Sequence, residues 1–254
     1  MPLHTLVVIP TYNEAGNIVS LLHGVLAQQH GIEVLVVDDA SSDGTAESVE
    51  SVRMTEARVH LLRRPGKLGL GSAYLAGFRH ALDRGFDAVF TMDGDWSHDP
   101  IYLGKMLDAL SDHDVVIGSR YVRGGGLRNW SLHRRALSRF ANWYTRWLLR
   151  IPHRDVTSGY RGYRREALES VDPFSIRESG YSFLEEMIWR LHRAGLSITE
   201  IPIVFTDRCT GTSKIESSEI LKAAYHVMTT ALRRRRSSRA RPEFEKARRG
   251  VSAP

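Results

Sequence analysis

What is scarce in this sequence narrows its class first. One cysteine, Cys209, stands among 254 residues, so no intramolecular disulfide can close and no thiolate metal site can be built. Cys209 is expected to be an unreactive structural thiol in a reducing cytoplasm. Long apolar runs are missing too: Asp, Glu, His or Arg cuts each hydrophobic stretch within about ten residues, well short of the roughly 18 to 20 that span a bilayer. The chain is not expected to cross a membrane by itself, and Met1-Pro2-Leu3-His4 lacks the charged-then-apolar pattern of a signal peptide. What is present is ordinary for a globular protein: 42% hydrophobic and 25% charged residues, with a mean hydropathy of -0.27.

Acidic residues are nearly absent from two segments that carry the net charge of +6. Residues 120–165 hold 12 Arg against the single acid Asp155, and residues 233–254 hold 9 Lys/Arg against Glu243 and Glu245. Residues 1–119, with 8 Lys/Arg and 16 Asp/Glu, and residues 166–232, with 6 and 10, are acidic. The high pI therefore does not describe a uniformly basic protein. The local excess points to a phosphate site or an anionic membrane surface as readily as to nucleic acid.

Hydrophobic periodicity predicts alternating strands and helices. Strands are expected at residues 3–9, 33–37, 59–62, 88–92, 115–117 and 198–205, with the first stopping at Pro10. Helices are expected at 15–28, 43–55, 71–83, 99–110, 130–150, 181–194 and 216–232. Short continuous apolar strands separated by helices indicate an α/β fold: a Rossmann-like, mostly parallel sheet with helices on both faces. Such sheets bind ligands beyond the carboxyl ends of their strands. The helix at 130–150 is amphipathic and basic. Its Trp143 and Trp147 are expected to pack on the body, and Arg123, Arg139, Arg146 and Arg150 to be solvated.

Two acidic clusters fall where strands finish, Asp38-Asp39 and Asp93-Gly94-Asp95. Asp43 and Asp99, each just ahead of a helix, read as helix caps. Asp93 and Asp95 fit that role poorly. Two carboxylates diverging from a glycine suit a hard divalent cation, Mg2+ or Mn2+, that completes its shell with substrate phosphates. His98 beside them is equally well a helix-start histidine and is not assigned to the metal. Gly69-Leu70-Gly71 with Gly77 is not a dinucleotide fingerprint, because that motif belongs after the first strand, where Pro10-Thr11-Tyr12-Asn13-Glu14 stands instead.

These blocks, Pro10-Thr11-Tyr12-Asn13-Glu14, Val37-Asp38-Asp39-Ala40-Ser41-Ser42-Asp43-Gly44-Thr45, Met92-Asp93-Gly94-Asp95 and Gly118-Ser119-Arg120-Tyr121, together resemble the inverting nucleotide-sugar glycosyltransferases of family 2. Trp130-Ser131-Leu132-His133-Arg134-Arg135 with Ser138, Ser158-Gly159-Tyr160-Arg161, Gly180-Tyr181-Ser182-Phe183, and Asp207-Arg208 with Gly211-Thr212-Ser213-Lys214 resemble its dolichyl- or polyprenyl-phosphate mannosyltransferases. The resemblance implies a GT-A fold over residues 1–232, with a nucleotide-sugar half (1–119) and an acceptor half (120–232) with amphipathic C-terminal helices; the arginine-rich residues 233–254 beyond it are expected to be a disordered basic tail. The resemblance also implies GDP-mannose as donor and a polyprenyl phosphate lipid as acceptor, with UDP-glucose as the alternative donor.

By position, Pro10, Tyr12, Glu14, Asp39, Asp93, Arg208 and Lys214 match the nucleotide-sugar site, and Asp93 and Asp95 the metal. Arg120, Arg134 and Ser138 match the acceptor-phosphate site, and Asp95, Arg120 and Arg134 are the residues expected to carry catalysis. Relatives often have Gln where Ser97 and Leu184 stand, so no third metal ligand is assigned and the role of Glu185 and Glu186 is left open. A membrane-lipid acceptor and the lack of a spanning segment predict a peripheral protein on the cytoplasmic face of a membrane, held by the last helix and the basic tail. The alternative is a helix that packs on the domain and a solvated tail. The resemblance leaves room for a separate membrane-anchoring subunit, while relatives with multi-pass membrane domains are longer than this chain. A nucleic-acid-binding protein is disfavoured, because Asp93 and Asp95 would repel phosphates unless a metal intervened.

Overall fold

The computed structural model describes residues 3–28, 31–176, 180, 182–207 and 227–230. In chain order the elements are β1 (Thr5–Thr11), α1 (Ala15–Leu26), β2 (Ile32–Asp38), α2 (Thr45–Arg53), β3 (Val59–Arg63), α3 (Leu70–Asp83) and β4 (Ala88–Thr91). A short 3-10 turn, Pro100–Tyr102, leads into α4 (Leu103–Ala109), followed by β5 (Val115–Ser119), β6 (Gly126–Arg128) and α5 (Leu132–Leu149). Then come β7 (Arg161–Arg164), α6 (Arg165–Val171), α7 (Ser182–Arg193), β8 (Ile198–Pro202) and β9 (Val204–Thr206).

Seven strands make one sheet in the order β3-β2-β1-β4-β7-β5-β8, and β6 pairs with β9 in a separate two-stranded ribbon. All pairings are parallel except those of β7, which runs antiparallel between β4 and β5. Alternation along β1 sends Leu6 and Val8 to one face, with α3 and α7, and Val7 and Ile9 to the other, with α1, α2 and α4. Ile18, Leu21, Leu22 and Val25 of α1 are fully buried there, as their spacing requires. The strand order reverses between β1 and β4. A crevice at that switch point, outside the strand ends, is where such sheets take ligands.

Several expectations need correction. β1 runs through Pro10 to Thr11. Val8 accepts from the amide of Met92 on the β4 side, so Pro10, two residues on, faces the same way, and β4 has already left the ladder there. No amide is needed at Pro10. The single strand expected at 198–205 is two: Pro202 ends the pairing with β5, and β9 joins β6. β6, β7 and α6 had no apolar run to announce them. The helix expected at 99–110 opens as a 3-10 turn capped by Asp99, whose carboxylate accepts the Ile101 amide at 3.0 Å.

The largest reversal concerns α5. Its buried residues are Asn142, Thr145 and Leu149, while Trp143 and Trp147, expected to pack, are 56% and 67% exposed. The polar side faces inward because it has partners. Asn142 accepts the Val156 amide at 2.9 Å and donates to Thr157 at 2.8 Å, and Thr145 donates to Glu185 of α7 at 3.5 Å. Among the described residues no helix is long and apolar enough to cross a membrane. Of the helix expected at 216–232, residues 227–230 are described and helical, with Val227 in the core. The rest, with the tail at 233–254, Tyr181 and Cys209, lies outside the described residues.

Candidate active site

Two loops at the carboxyl ends of β1 and β2 form one wall. Asp38 ends β2 and accepts from Thr11 at 2.9 Å and from the Ser41 hydroxyl and amide at 2.6 and 3.0 Å, which fastens the two strand ends together. Asp39 is buried; it pairs with Arg64 at 2.5 Å and accepts the Leu68 amide at 3.1 Å. That draws the loop after β3 over the rim, where Lys67 lies 4.6 Å above the Tyr12 ring. Glu14 starts α1, donating its amide to Thr45 and accepting from the Asn17 side chain, both at 2.9 Å. Asp43 receives amides from both Ala15 and Thr45, so it caps α1 as well as α2. Pro10, Tyr12, Glu14 and Asp39 thus share one end of the sheet.

The Asp93-Gly94-Asp95 turn follows β4 directly across the switch point. Asp95 is buried, with one carboxylate oxygen held by the Ser97 amide at 3.1 Å and hydroxyl at 2.5 Å. Ser97 therefore orients Asp95. Asp93 is more open, and the Tyr74 hydroxyl reaches it at 3.5 Å. After the turn Trp96 adopts a left-handed backbone (φ 63), a conformation that costs roughly 1 kcal/mol for a non-glycine residue. It is held by an indole bond to Ser20 at 3.0 Å, and its ring covers Gly24, where a Cβ would come within 3.0 Å. Two hard carboxylates on a glycine turn beyond the strand ends fit a divalent cation that takes its remaining ligands from a diphosphate. Among the described residues no group of three His, Cys, Asp or Glu side chains supplies a full protein cage.

His98, which the sequence left unassigned, is a part of this turn. Its Nδ1 accepts the Asp93 amide at 3.1 Å, and its ring is buried between Tyr160 and Phe205, with centroids 5.0 and 5.2 Å away. Burial holds the imidazole below its ordinary pKa, against the pull of Asp93 and Asp95. The ring braces the backbone of the acidic turn.

The arginine side begins on the same aromatic stack, since Phe205 meets Trp130 at 5.5 Å and the Arg134 guanidinium lies 3.9 Å over Trp130. Arg134 also pairs with Asp207 at 2.7 Å. Arg120 departs from expectation: it is buried, and its Nε and Nη2 grip Asp155 in a fork, both at 2.7 Å, with Thr157 at 2.8 Å. A two-pronged grip on an acceptor phosphate is closed to that edge of Arg120. Burial alone would raise the Asp155 carboxyl, but Arg120 outweighs it and holds it below the usual range. Ser138 accepts from the Tyr121 hydroxyl at 2.7 Å, tying α5 to the loop after β5. Arg161 is a structural residue, fully buried and donating to the carbonyls of Val156, Ser158 and Leu184 at 2.6 to 2.8 Å. Glu185 and Glu186 are buried on α7, where Glu185 accepts from Thr145 and Glu186 pairs with Arg190. Arg208 and Lys214 lie outside the described residues.

A mostly parallel mixed sheet with paired acids beyond its strand ends is the architecture of a GT-A glycosyltransferase. The chain belongs to glycosyl transferase family 2, whose model matches residues 6–172. It is 45% identical over 236 residues to the polyprenol monophosphomannose synthase of Mycolicibacterium smegmatis, covering 91% of this chain and 88% of that one. It is 40% identical over 225 residues to the undecaprenyl-phosphate mannosyltransferase of Micrococcus luteus, covering 89% and 93%. Its fold is also that of glucosyl-3-phosphoglycerate synthase from Mycobacterium tuberculosis. The complex of that protein with Mn2+, UDP and phosphoglyceric acid superposes with a TM-score of 0.66 at 19% identity, over 91% of this chain and 78% of that one.

Proposed function

We propose that the protein transfers mannose from GDP-mannose to a polyprenyl phosphate, with inversion at the anomeric carbon, at the cytoplasmic face of a membrane. The observation that supports this reading is the continuous stack His98–Phe205–Trp130–Arg134, which links the acidic turn to the arginine side through packed rings. The names of the two relatives supply the substrate class.

A phosphate monoester has a second pKa near 6, so the acceptor is already largely a dianion at neutral pH and needs no general base. The task is electrostatic: bring two anions together and stabilise the leaving diphosphate. Asp93 and Asp95 hold Mg2+ or Mn2+, which when bound neutralises diphosphate charge. Pro10, Tyr12, Glu14 and Asp39 shape the nucleotide side, joined by Arg208 and Lys214. Arg134, at the rim with Ser138, meets the acceptor phosphate. Arg120 contributes a buried positive charge behind it, with Asp155 fixing its position. As an acceptor oxygen bonds to the anomeric carbon, the carbon–oxygen bond to the donor diphosphate breaks and GDP leaves.

Purified protein offered GDP-mannose or UDP-glucose with a polyprenyl phosphate, with the lipid product read by mass spectrometry, tests this. Mannosyl product from GDP-mannose is expected. Asp95→Asn should lose most turnover, on the order of 100-fold or more, while its thermal unfolding stays near wild type. Glucosyl product from UDP-glucose alone would overturn the donor assignment, and a fully active Asp95→Asn would overturn the metal's role.

A further inference from the structure

The two-stranded ribbon stands apart from the main sheet, and the chain leaving each of its strands ends on the same side chain. β6 finishes at Arg128, Asn129 takes a left-handed backbone (φ 62), and Trp130 follows. Asn is one of the few residues that adopt that conformation readily. β9 finishes at Thr206, and the next amide, that of Asp207, donates to the Arg128 carbonyl at 3.1 Å. Trp130 and Asp207, fastened in this way, both meet Arg134 in the first turn of α5. The Arg134 guanidinium carbon lies 3.9 Å over the centre of the Trp130 ring, and Nη1 donates to Asp207 Oδ1 at 2.7 Å. Phe205 of β9 meets Trp130 edge to face, so the ring is itself held from the ribbon. The Trp130 indole N–H is buried and, among the described residues, has no acceptor. A buried donor left unpaired is costly, so the ring is placed for its face and not for its N–H.

Arg134 and Arg120 differ in which edge is taken. Asp155 closes the Nε and Nη2 edge of Arg120 with both of its oxygens. On Arg134, Asp207 holds only the Nη1 corner, and no described residue accepts from Nε or Nη2. The Arg134 side chain is 30% exposed, which leaves it accessible to a ligand. We propose that Trp130 and Asp207 are positioning residues for sugar transfer: together they fix Arg134 so that its Nε and Nη2 form a two-pronged seat for the phosphate of the acceptor. A fork held before the ligand arrives has little rotamer freedom left to lose, and two parallel N–H donors match two phosphate oxygens. Asp207 carries a charge of the same sign as the ligand, so its role is decided by a sign. Were it only a competitor for Arg134, removing it would tighten phosphate binding; as a positioning residue, its loss weakens binding. The seat rests on the reading that the acceptor is a polyprenyl phosphate, and it assigns that phosphate's orientation to the ribbon.

Titration of the full chain in detergent with farnesyl phosphate, and separately with GDP and Mg2+, is the test. Asp207→Ala should bind farnesyl phosphate about threefold or more weakly than wild type. Asp207→Asn, which keeps the accepting oxygen and drops the charge, should bind it at least as well as wild type. Trp130→Leu should bind it about tenfold more weakly, and Trp130→Phe should recover part of the loss. GDP affinity should stay at the wild-type value in all four. In sugar transfer, Asp207→Ala should raise KM for the lipid more than it lowers kcat. Placed in an Arg134→Lys background, which has no fork to orient, Asp207→Ala and Trp130→Leu should each weaken farnesyl phosphate binding little further. Wild-type or tighter binding by Asp207→Ala, full additivity with Arg134→Lys, or no farnesyl phosphate binding by wild type would each overturn the proposal. If Trp130→Leu melts well below wild type, the contrast between Asp207→Ala and Asp207→Asn decides alone. The expected binding pattern without any sugar transfer would instead sink the functional reading and leave the seat standing.

Discussion

At the scale of single residues, the site divides into groups that face the cleft and groups that hold them. Asp93 and Asp95 were legible because two acids around a glycine at a strand end have few structural uses. Their supports were not legible. His98 acts through a backbone amide and Asp155 through an arginine 35 positions away, contacts with no local sequence signature. Arg120 and Arg134 looked alike in sequence, yet one is sealed against a buried acid and the other lies at the rim; only the chain path separates them. Breaking a buried ion pair leaves an uncompensated charge, so Asp155→Ala should cost about 3–5 kcal/mol in a urea titration. A much smaller change in the unfolding midpoint would mean that another group stabilises Arg120.

At the scale of elements, the parallel strands announced themselves as β-branched runs, and their order placed the acids on one edge. β7 stayed hidden because Arg161-Gly162-Tyr163-Arg164 offers no apolar pattern, although it closes the gap between β4 and β5. Its place depends on Gly162, where a Cβ would come within 2.5 Å of Phe90 Cε1 and 2.8 Å of Val116 Cγ1. Neither neighbour can retreat without disturbing the sheet core. Gly162→Ala should therefore destabilise by about 1–3 kcal/mol, as overpacked cores do, while Gly66→Ala, with open space at its Cβ, should be near neutral by thermal melting. Equal melting of the two variants would show that the sheet tolerates a methyl group there. α5 was read with the right periodicity and the wrong facing, because a helical pattern shows which residues share a side and not which side meets the body.

At the scale of the whole molecule, chemistry and acid sensitivity sit at opposite ends of the sheet. The cleft lies beyond the carboxyl ends of the strands, whereas His4, Glu33 and His60 lie where β1, β2 and β3 begin, and His80 closes α3 beside them. Glu33 bridges His4 at 2.9 Å and His60 at 2.6 Å, and the His60 and His80 rings are 5.6 Å apart. Burial, reinforced by the charges of Arg84 and His60, lowers His80 from an ordinary 6.5 to about 4. The folded chain thus keeps His80 neutral at a pH where the unfolded chain has already protonated it. Between about 6.5 and 4 the unfolded state binds more protons at this site, so stability falls as pH falls through that window and is fully present above it. Below about 4 both states are protonated and this group causes no further loss. Melting temperatures across that range should decline in wild type and decline less in His80→Asn, while both proteins transfer sugar equally at neutral pH, because the change is made at the edge remote from the cleft. An identical pH slope in the variant would assign the acid sensitivity to another group.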